Sequence, residues 1–170
     1  LHASLLPDYR GAAPINWAIM NGETKTGVST FFLDEKIDTG AIIRQKETDI
    51  AADETVGQLH DRLMHIGAAL VIETLDLIAQ DKVTTTIQPE KVVKSAYKIH
   101  TDTCKIDWSL PLNTIYNHIR GLNPYPAAWT EIENGGSITK LKLFDCSKEF
   151  CKHSHPYGHI ITEKTQLKIA

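Results

Sequence analysis

The longest periodic signal in the chain lies between Val56 and Ile78, where Val56, Leu59, Leu63, Ile66, Leu70, Leu75 and Ile78 recur at close to a helical period. That spacing predicts one long helix with a single buried face. Asp53 or Thr55 is placed to cap its start, and the pattern runs to about Ala79. Upstream, PINWAIMNGE predicts a short helix, with Pro14 near its first position and Asn21-Gly22 at its end. The β-branched and aromatic run TGVSTFFLD (26–34) predicts a buried strand. Asp38-Thr39-Gly40 then turns into a second strand, AIIRQKETDI (41–50). Two helices and two strands make part of an α/β layer with too little sheet to stand alone, so further strands are expected upstream.

From Asp81 the pattern changes. KVTTTIQPEKVVKSAYK combines Thr repeats, a Pro and four lysines with no helical period, which predicts an exposed linker. A second helix-forming run then starts at Pro111 and ends at Gly121. Ala128–Glu133, a turn at Asn134-Gly135-Gly136 and Ser137–Phe144 predict a hairpin, and Gly158–Glu163 and Gln166–Ala170 two further strands. Short strands after a lone helix suggest a small barrel, left unfinished because the chain stops inside its last strand. The expected fold is α/β then β: an α/β unit over 1–82, a basic linker over 83–97 and a small barrel over 98–170.

Composition changes this picture little. The chain is 42% hydrophobic and 23% charged, ordinary for a soluble globular protein. No apolar run approaches the roughly 20 residues that cross a bilayer, so no membrane partner is expected. LHASLLPDYRG lacks the basic start and long apolar centre of a secretory signal and reads as the middle of a protein. Cys104, Cys146 and Cys151 are irregularly spaced, which argues against a disulfide framework and for a reducing, cytoplasmic setting. Charge does divide the chain: residues 1–80 hold 6 Lys+Arg against 12 Asp+Glu, and residues 81–170 hold 12 against 9. The second part is the better suited to a polyanion.

Two clusters can carry chemistry. In LHASLLPDYRGAAP, His2 falls at the end of an expected strand and is followed by a polar loop, the place where α/β sheets present ligands and catalysts. A surface histidine beside a hydrophobic turn fits the same residues. In DEKIDTG, Asp38 stands ahead of Gly40, where its carboxylate either points into a cleft or closes a local Asx turn. A carboxylate beside an imidazole fixes its tautomer and favours its charged form, which a proton-handling histidine requires. A third group, Cys146, Cys151, His153, His155 and His159, holds soft ligands close together. Its spacing is not that of paired zinc ligands, and no metal is expected there.

HASLLPDYRGAAPINWAIMNGE, TGVSTFFLDEKIDTG, and KIDW with IRGLNPYPAAW resemble consecutive signatures of the methionyl-tRNA formyltransferases. The resemblance runs through nearly the whole chain. It implies the carboxy-terminal part of a Rossmann-like formyltransferase domain, followed by a truncated OB-like β-barrel that holds tRNA. The family histidine falls on His2, the family aspartate on Asp38, and the folate-lining loop on Ser4, Leu5, Leu6 and Pro7. The family asparagine would lie immediately before Leu1, so this chain is expected to be inert alone. The implied reaction passes a formyl group from 10-formyltetrahydrofolate to the α-amino group of initiator methionyl-tRNA, with neither a metal nor a covalent enzyme intermediate. The implied protein is a cytoplasmic monomer. Lys82, Lys91, Lys94, Lys98, Lys105, Arg120, Lys140 and Lys142 are the expected tRNA contacts.

Four other readings stay open at this level. Formyltetrahydrofolate hydrolase domains and sugar-nucleotide formyltransferases carry similar loops and a related second domain, although KIDW, IRGLNPYPAAW and the basic linker favour the tRNA enzyme. Glycinamide ribonucleotide enzymes share the Ser-Leu-Leu-Pro pattern and would lack the second domain. A reading of another class is a non-catalytic nucleic-acid-binding module.

Overall fold

The computed structural model describes residues 1–90 and 94–170. Its elements run β1 (Arg10–Gly11), α1 (Pro14–Met20), β2 (Lys25–Phe31), β3 (Ile42–Asp49), α2 (Val56–Ala79), β4 (Ser95–Ala96), a short 3-10 turn (Asp102–Cys104), α3 (Leu112–Arg120), β5 (Ala128–Asn134), β6 (Ser137–Leu143), β7 (Ile160–Thr162) and β8 (Leu167–Ile169).

The long helix forms where the periodicity predicts it. Thr55 is its N-cap, and Thr55 and Gln58 satisfy each other's backbone N–H groups in a capping box. Val56, Leu59, Leu63, Gly67, Leu70 and Thr74 are buried. Leu75 and Ile78, expected on that face, are instead 55% and 45% exposed. At 3.6 residues per turn the stripe passes from Leu70 to Thr74 rather than to Leu75. The Thr74 hydroxyl is satisfied there by the Leu70 carbonyl (2.7 Å) and Thr30 Oγ1 (2.8 Å).

Strand β2 pairs with β3 as an antiparallel hairpin, Lys25 opposite Asp49 and Phe31 opposite Ile42, with a register shift at Thr30/Phe31. Thr26 through Thr30 are all buried. Val28 packs into a core with Tyr9, Ala18, Ile19, Ile50, Leu59, Leu63 and Leu70. Burying each large aliphatic chain contributes about 1.5–3 kcal/mol.

A second core gathers Met20, Cys104, Ile106, Ile119, Leu122, Ala128 and Trp129, and Trp17 of α1 borders both cores. Asn16 Nδ2 donates to the Gly121 carbonyl (2.8 Å), and the Tyr116 hydroxyl donates to Asp53 (2.8 Å). At Gly57 the first turn of α2 lies so close to Pro124 that a Cβ would stand 2.6 Å from its ring. The two parts are therefore packed together through α1, α2 and α3.

The stretch expected as an exposed linker is only partly one. Thr84 through Ile87 are exposed, but Gln88 and Ala96 are buried. Thr86 exchanges both backbone hydrogen bonds with Ile42, and β4 pairs in parallel with β1. The segment thus returns across the first unit and adds backbone hydrogen bonds to it.

The expected barrel is present only as separate hairpins. Strands β5 and β6 form one hairpin and β7 and β8 another, and among the described residues the two do not pair with each other. No closed barrel results, because closure requires a continuous ring of paired strands. Among the described residues no helix is long and apolar enough to cross a membrane.

Candidate active site

Ser29, fully buried in the middle of β2, organises the site. Its backbone pairs with His2 in both directions at 2.8 Å. Its hydroxyl donates to the Ser4 carbonyl (2.6 Å) and accepts from the Leu6 N–H (3.1 Å) and Gln45 Nε2 (2.8 Å). Gln45, opposite Ser29 on β3, also donates to the Leu6 carbonyl (2.9 Å). One serine thus fixes the loop that follows His2. Within that loop Ser4 and Leu6 are buried, and the Ser4 hydroxyl is spent on the Asp8 carbonyl (2.7 Å). Leu5 and Pro7 keep partial exposure.

The imidazole of His2 is 9% exposed, with a partner at each nitrogen. Nε2 lies 2.8 Å from the Tyr9 carbonyl, which only accepts, so Nε2 carries the hydrogen. Nδ1 faces Asp38 Oδ2 at 3.5 Å. The same carboxylate oxygen accepts the Gly11 N–H at 2.9 Å. Asp38 therefore looks inward toward His2. The local Asx turn belongs to Asp34, whose carboxylate accepts from Lys36 N (3.0 Å) and the Thr39 hydroxyl (2.5 Å).

Asp38 reaches this orientation from a left-handed backbone, φ 57°, which aspartate tolerates better than most residues. Gly40 completes the turn because a Cβ there would collide with the Phe32 carbonyl. Tyr9 is likewise left-handed at φ 60°. Its hydroxyl donates to Glu23 (2.6 Å), which also accepts from Lys94 (2.6 Å). Burial pushes the Tyr9 phenol well above its ordinary value, helped by Glu23. Burial also works to raise Glu23, but hydrogen bonds from Lys94 and Tyr9 outweigh it and hold that carboxyl below its ordinary value.

The eight expected phosphate contacts do not form one group. Arg120 is corrected outright: it is 7% exposed and donates to the Glu54 carbonyl (2.9 Å), the Ala51 carbonyl (3.4 Å) and Asn117 (2.8 Å). Its guanidinium joins α3 to the start of α2. Lys94 is committed to Glu23. Lys82 and Lys98 are exposed, and Lys82 touches Gln80. Lys91 lies outside the described residues. Lys105, Lys140 and Lys142 do share one region. Lys140 sits 3.6 Å from the centre of the Trp129 ring and Lys105 5.0 Å, while Lys142 reaches the Pro126 carbonyl (3.2 Å). Lys105 also pairs with Glu131 at 2.8 Å.

Among the cysteines and histidines near the end of the chain, His155 and His159 stack face to face, 4.8 Å between centres and 7° between planes. Stacked rings direct their nitrogens outward in parallel planes rather than at one point. Ser29, Gln45 and Tyr9 were missed by sequence reading. A lone serine inside a β-branched strand was the one available signal, since a buried polar residue must find partners.

A formyl transferase family model matches residues 1–75, and a formyl transferase C-terminal domain model matches residues 98–170. The chain is 53% identical to the methionyl-tRNA formyltransferase of Flavobacterium psychrophilum over 171 residues, spanning 100% of this chain and 54% of that protein. It is 51% identical to the enzyme of the same name from Parabacteroides distasonis, spanning 100% and 55%. It spans about half the length of the curated relatives it matches. Among solved structures, a sugar 3N-formyl transferase, WlaRD, with dTDP and 5-N-formyl-THF aligns at TM-score 0.63 and 28% identity, covering 71% of this chain and 44% of that one. An N-formyltransferase from Helicobacter canadensis, in complex with folinic acid and dTDP-3-aminofucose, aligns at TM-score 0.73 and 22% identity, covering 98% and 60%, a likeness of fold. With a family match on each side of residues 76–97 and relatives about half identical across its whole length, the chain belongs to the formyl transferase family.

Proposed function

We propose that the full-length protein transfers the formyl group of 10-formyltetrahydrofolate to the α-amino group of initiator methionyl-tRNA. The observation that carries this reading is the contact at 3.5 Å between buried His2 and half-buried Asp38, beside the loop Ser4–Pro7, in a chain 53% identical to a methionyl-tRNA formyltransferase. The sugar formyltransferase WlaRD matches at 28% identity against 53% for the methionyl-tRNA enzyme, which favours the tRNA substrate over a sugar nucleotide. The hydrolase-type and binding-module readings gain no comparable support.

The nucleophile is the neutral amine of the aminoacyl-tRNA. It attacks the formyl carbon, negative charge gathers on the formyl oxygen, and the bond to N10 of the folate breaks as the amine's proton passes to N10. His2 donates to that oxygen, exchanging the Tyr9 carbonyl for it, while Asp38 steadies the ring through Nδ1. Leu5 and Pro7 offer apolar contact to the folate ring. Lys105, Lys140 and Lys142, gathered around Trp129, offer charge to the tRNA backbone. The finer architecture belongs to the same proposal: a Rossmann-like sheet and an OB-like barrel completed by the rest of the longer chain, working as a cytoplasmic monomer.

The test is formyl transfer to methionyl-tRNA by the full-length protein, with a sugar-nucleotide amine as the competing substrate and the 170-residue chain alongside. Activity on methionyl-tRNA is expected in the first and none in the second. Transfer to the sugar nucleotide instead would refute the assignment. Asp38→Asn in the full-length enzyme is expected to lower turnover by on the order of 100-fold while tRNA affinity stays within about twofold.

A further inference from the structure

Gln88 stands in a stretch with no sequence pattern, yet it is 7% exposed and every hydrogen-bonding atom of its side chain is engaged around the turn that carries Asp38. Its Nε2 donates to the Asp38 carbonyl at 3.0 Å and to the Gly40 carbonyl at 2.7 Å. Its Oε1 accepts from Arg10 Nε at 3.1 Å and Nη2 at 2.7 Å, and the same Nη2 reaches the Pro89 carbonyl at 3.2 Å. The residue after Arg10 is Gly11, whose N–H holds the Asp38 carboxylate at 2.9 Å. Asp38 is thus gripped at both ends. Strand β1 takes its side chain through Gly11, and Gln88, anchored on β1 through Arg10, takes the backbone on each side of Thr39.

Such a grip has a physical reason. A left-handed backbone is unfavourable for aspartate and persists only where its surroundings hold it. Neither β2 nor β3 supplies that hold, since the turn projects between them. An amide is the side chain that can bridge two carbonyls and still accept from a guanidinium; a carboxylate in the same place would present acceptors to acceptors.

The geometry points to Gln88 as a positioning residue for catalysis: a clamp, outside the expected catalytic cluster, that sets the Asp38 carboxylate against His2. It acts through Asp38 and touches no substrate. This inference rests on the role given to His2 and Asp38 above.

The test uses the full-length enzyme with four changes: Gln88→Ala, Gln88→Glu, Asp38→Asn and the Gln88→Glu/Asp38→Asn double variant. Gln88→Glu keeps the side-chain volume and the Arg10 partner while turning the donor to the two carbonyls into a charged acceptor, so it disrupts the clamp by a second route where Gln88→Ala does not fold. In each folded single Gln88 variant kcat should fall on the order of 10- to 100-fold, as for a small misplacement of a reacting group, with both KM values within about twofold. The double variant should be no slower than Asp38→Asn, because the clamp has nothing left to position. A merely structural role would multiply the two losses. Unchanged kcat in Gln88→Glu, or multiplied losses, overturns the clamp and leaves the site reading intact. An Asp38→Asn enzyme with undiminished kcat overturns both.

Discussion

Strands β2 and β6 are each seven residues long and sit in hairpins, but they share little else. In β2 five consecutive residues are buried, both faces are covered, and Ser29 and Thr30 are held by specific partners. In β6 six residues are exposed, and Lys140 rests on the Trp129 ring. On the function proposed above, the first strand fixes a reacting geometry, which demands burial and complete hydrogen bonding, and the second presents charge, which demands neither.

That contrast can be broken in several places. The largest effect is expected at the core under the site: Leu59→Ala, at a side chain with 0% exposure, should cost about 2–5 kcal/mol in a urea titration of the full-length protein, whereas Ile138→Ala on β6, 70% exposed, should stay within about 0.5 kcal/mol. Equal losses would erase the distinction. Next, His2→Ala should slow formyl transfer by on the order of 100-fold with tRNA affinity nearly unchanged, and unaltered turnover would remove the imidazole from the mechanism.

Arg120 and Lys140 sharpen the comparison, since both were read as phosphate contacts. Arg120→Ala should destabilise by about 1–3 kcal/mol, by stranding the Glu54 and Ala51 carbonyls, and should leave the salt dependence of tRNA binding as it was. Lys140→Ala should do the reverse, lowering the slope of log affinity against log salt by about 1 with little change in the urea midpoint. The smallest effect concerns pH. Glu23 is held below its ordinary value of 4.5 when folded, so its contacts stabilise the protein above that pH and are lost as pH falls through the folded value. Comparing Glu23→Gln with the parent from pH 7 downward should show a stability gap that narrows on acidification; a gap that widens would reverse the sign.

The long helix was legible almost to the residue, because Thr55, Gln58 and the Leu59–Leu63–Leu70 stripe are local signals that agree with one another. The same holds for α1 behind Pro14, α3 between Pro111 and Gly121, and the hairpin at Gly135-Gly136. Asp38 and His2 were legible only through family resemblance, since spacing cannot tell an inward carboxylate from an Asx turn. Gln88 was invisible: its partners are 48 and 50 residues away, and no periodicity surrounds it. The barrel was legible only as its separate hairpins. Short strands announce themselves locally, but which strand pairs with which is a long-range matter that turn residues do not encode.

The parallel pairing of β1 with β4 has a consequence for how the molecule is made. Arg10 meets Gln88 across 78 residues of chain, so the loop after His2 leaves the ribosome well before the segment that secures it. At roughly 5–20 residues per second, the nascent pocket waits for seconds in an unfastened form. Translation pausing before the Gln88 codon would prolong that interval.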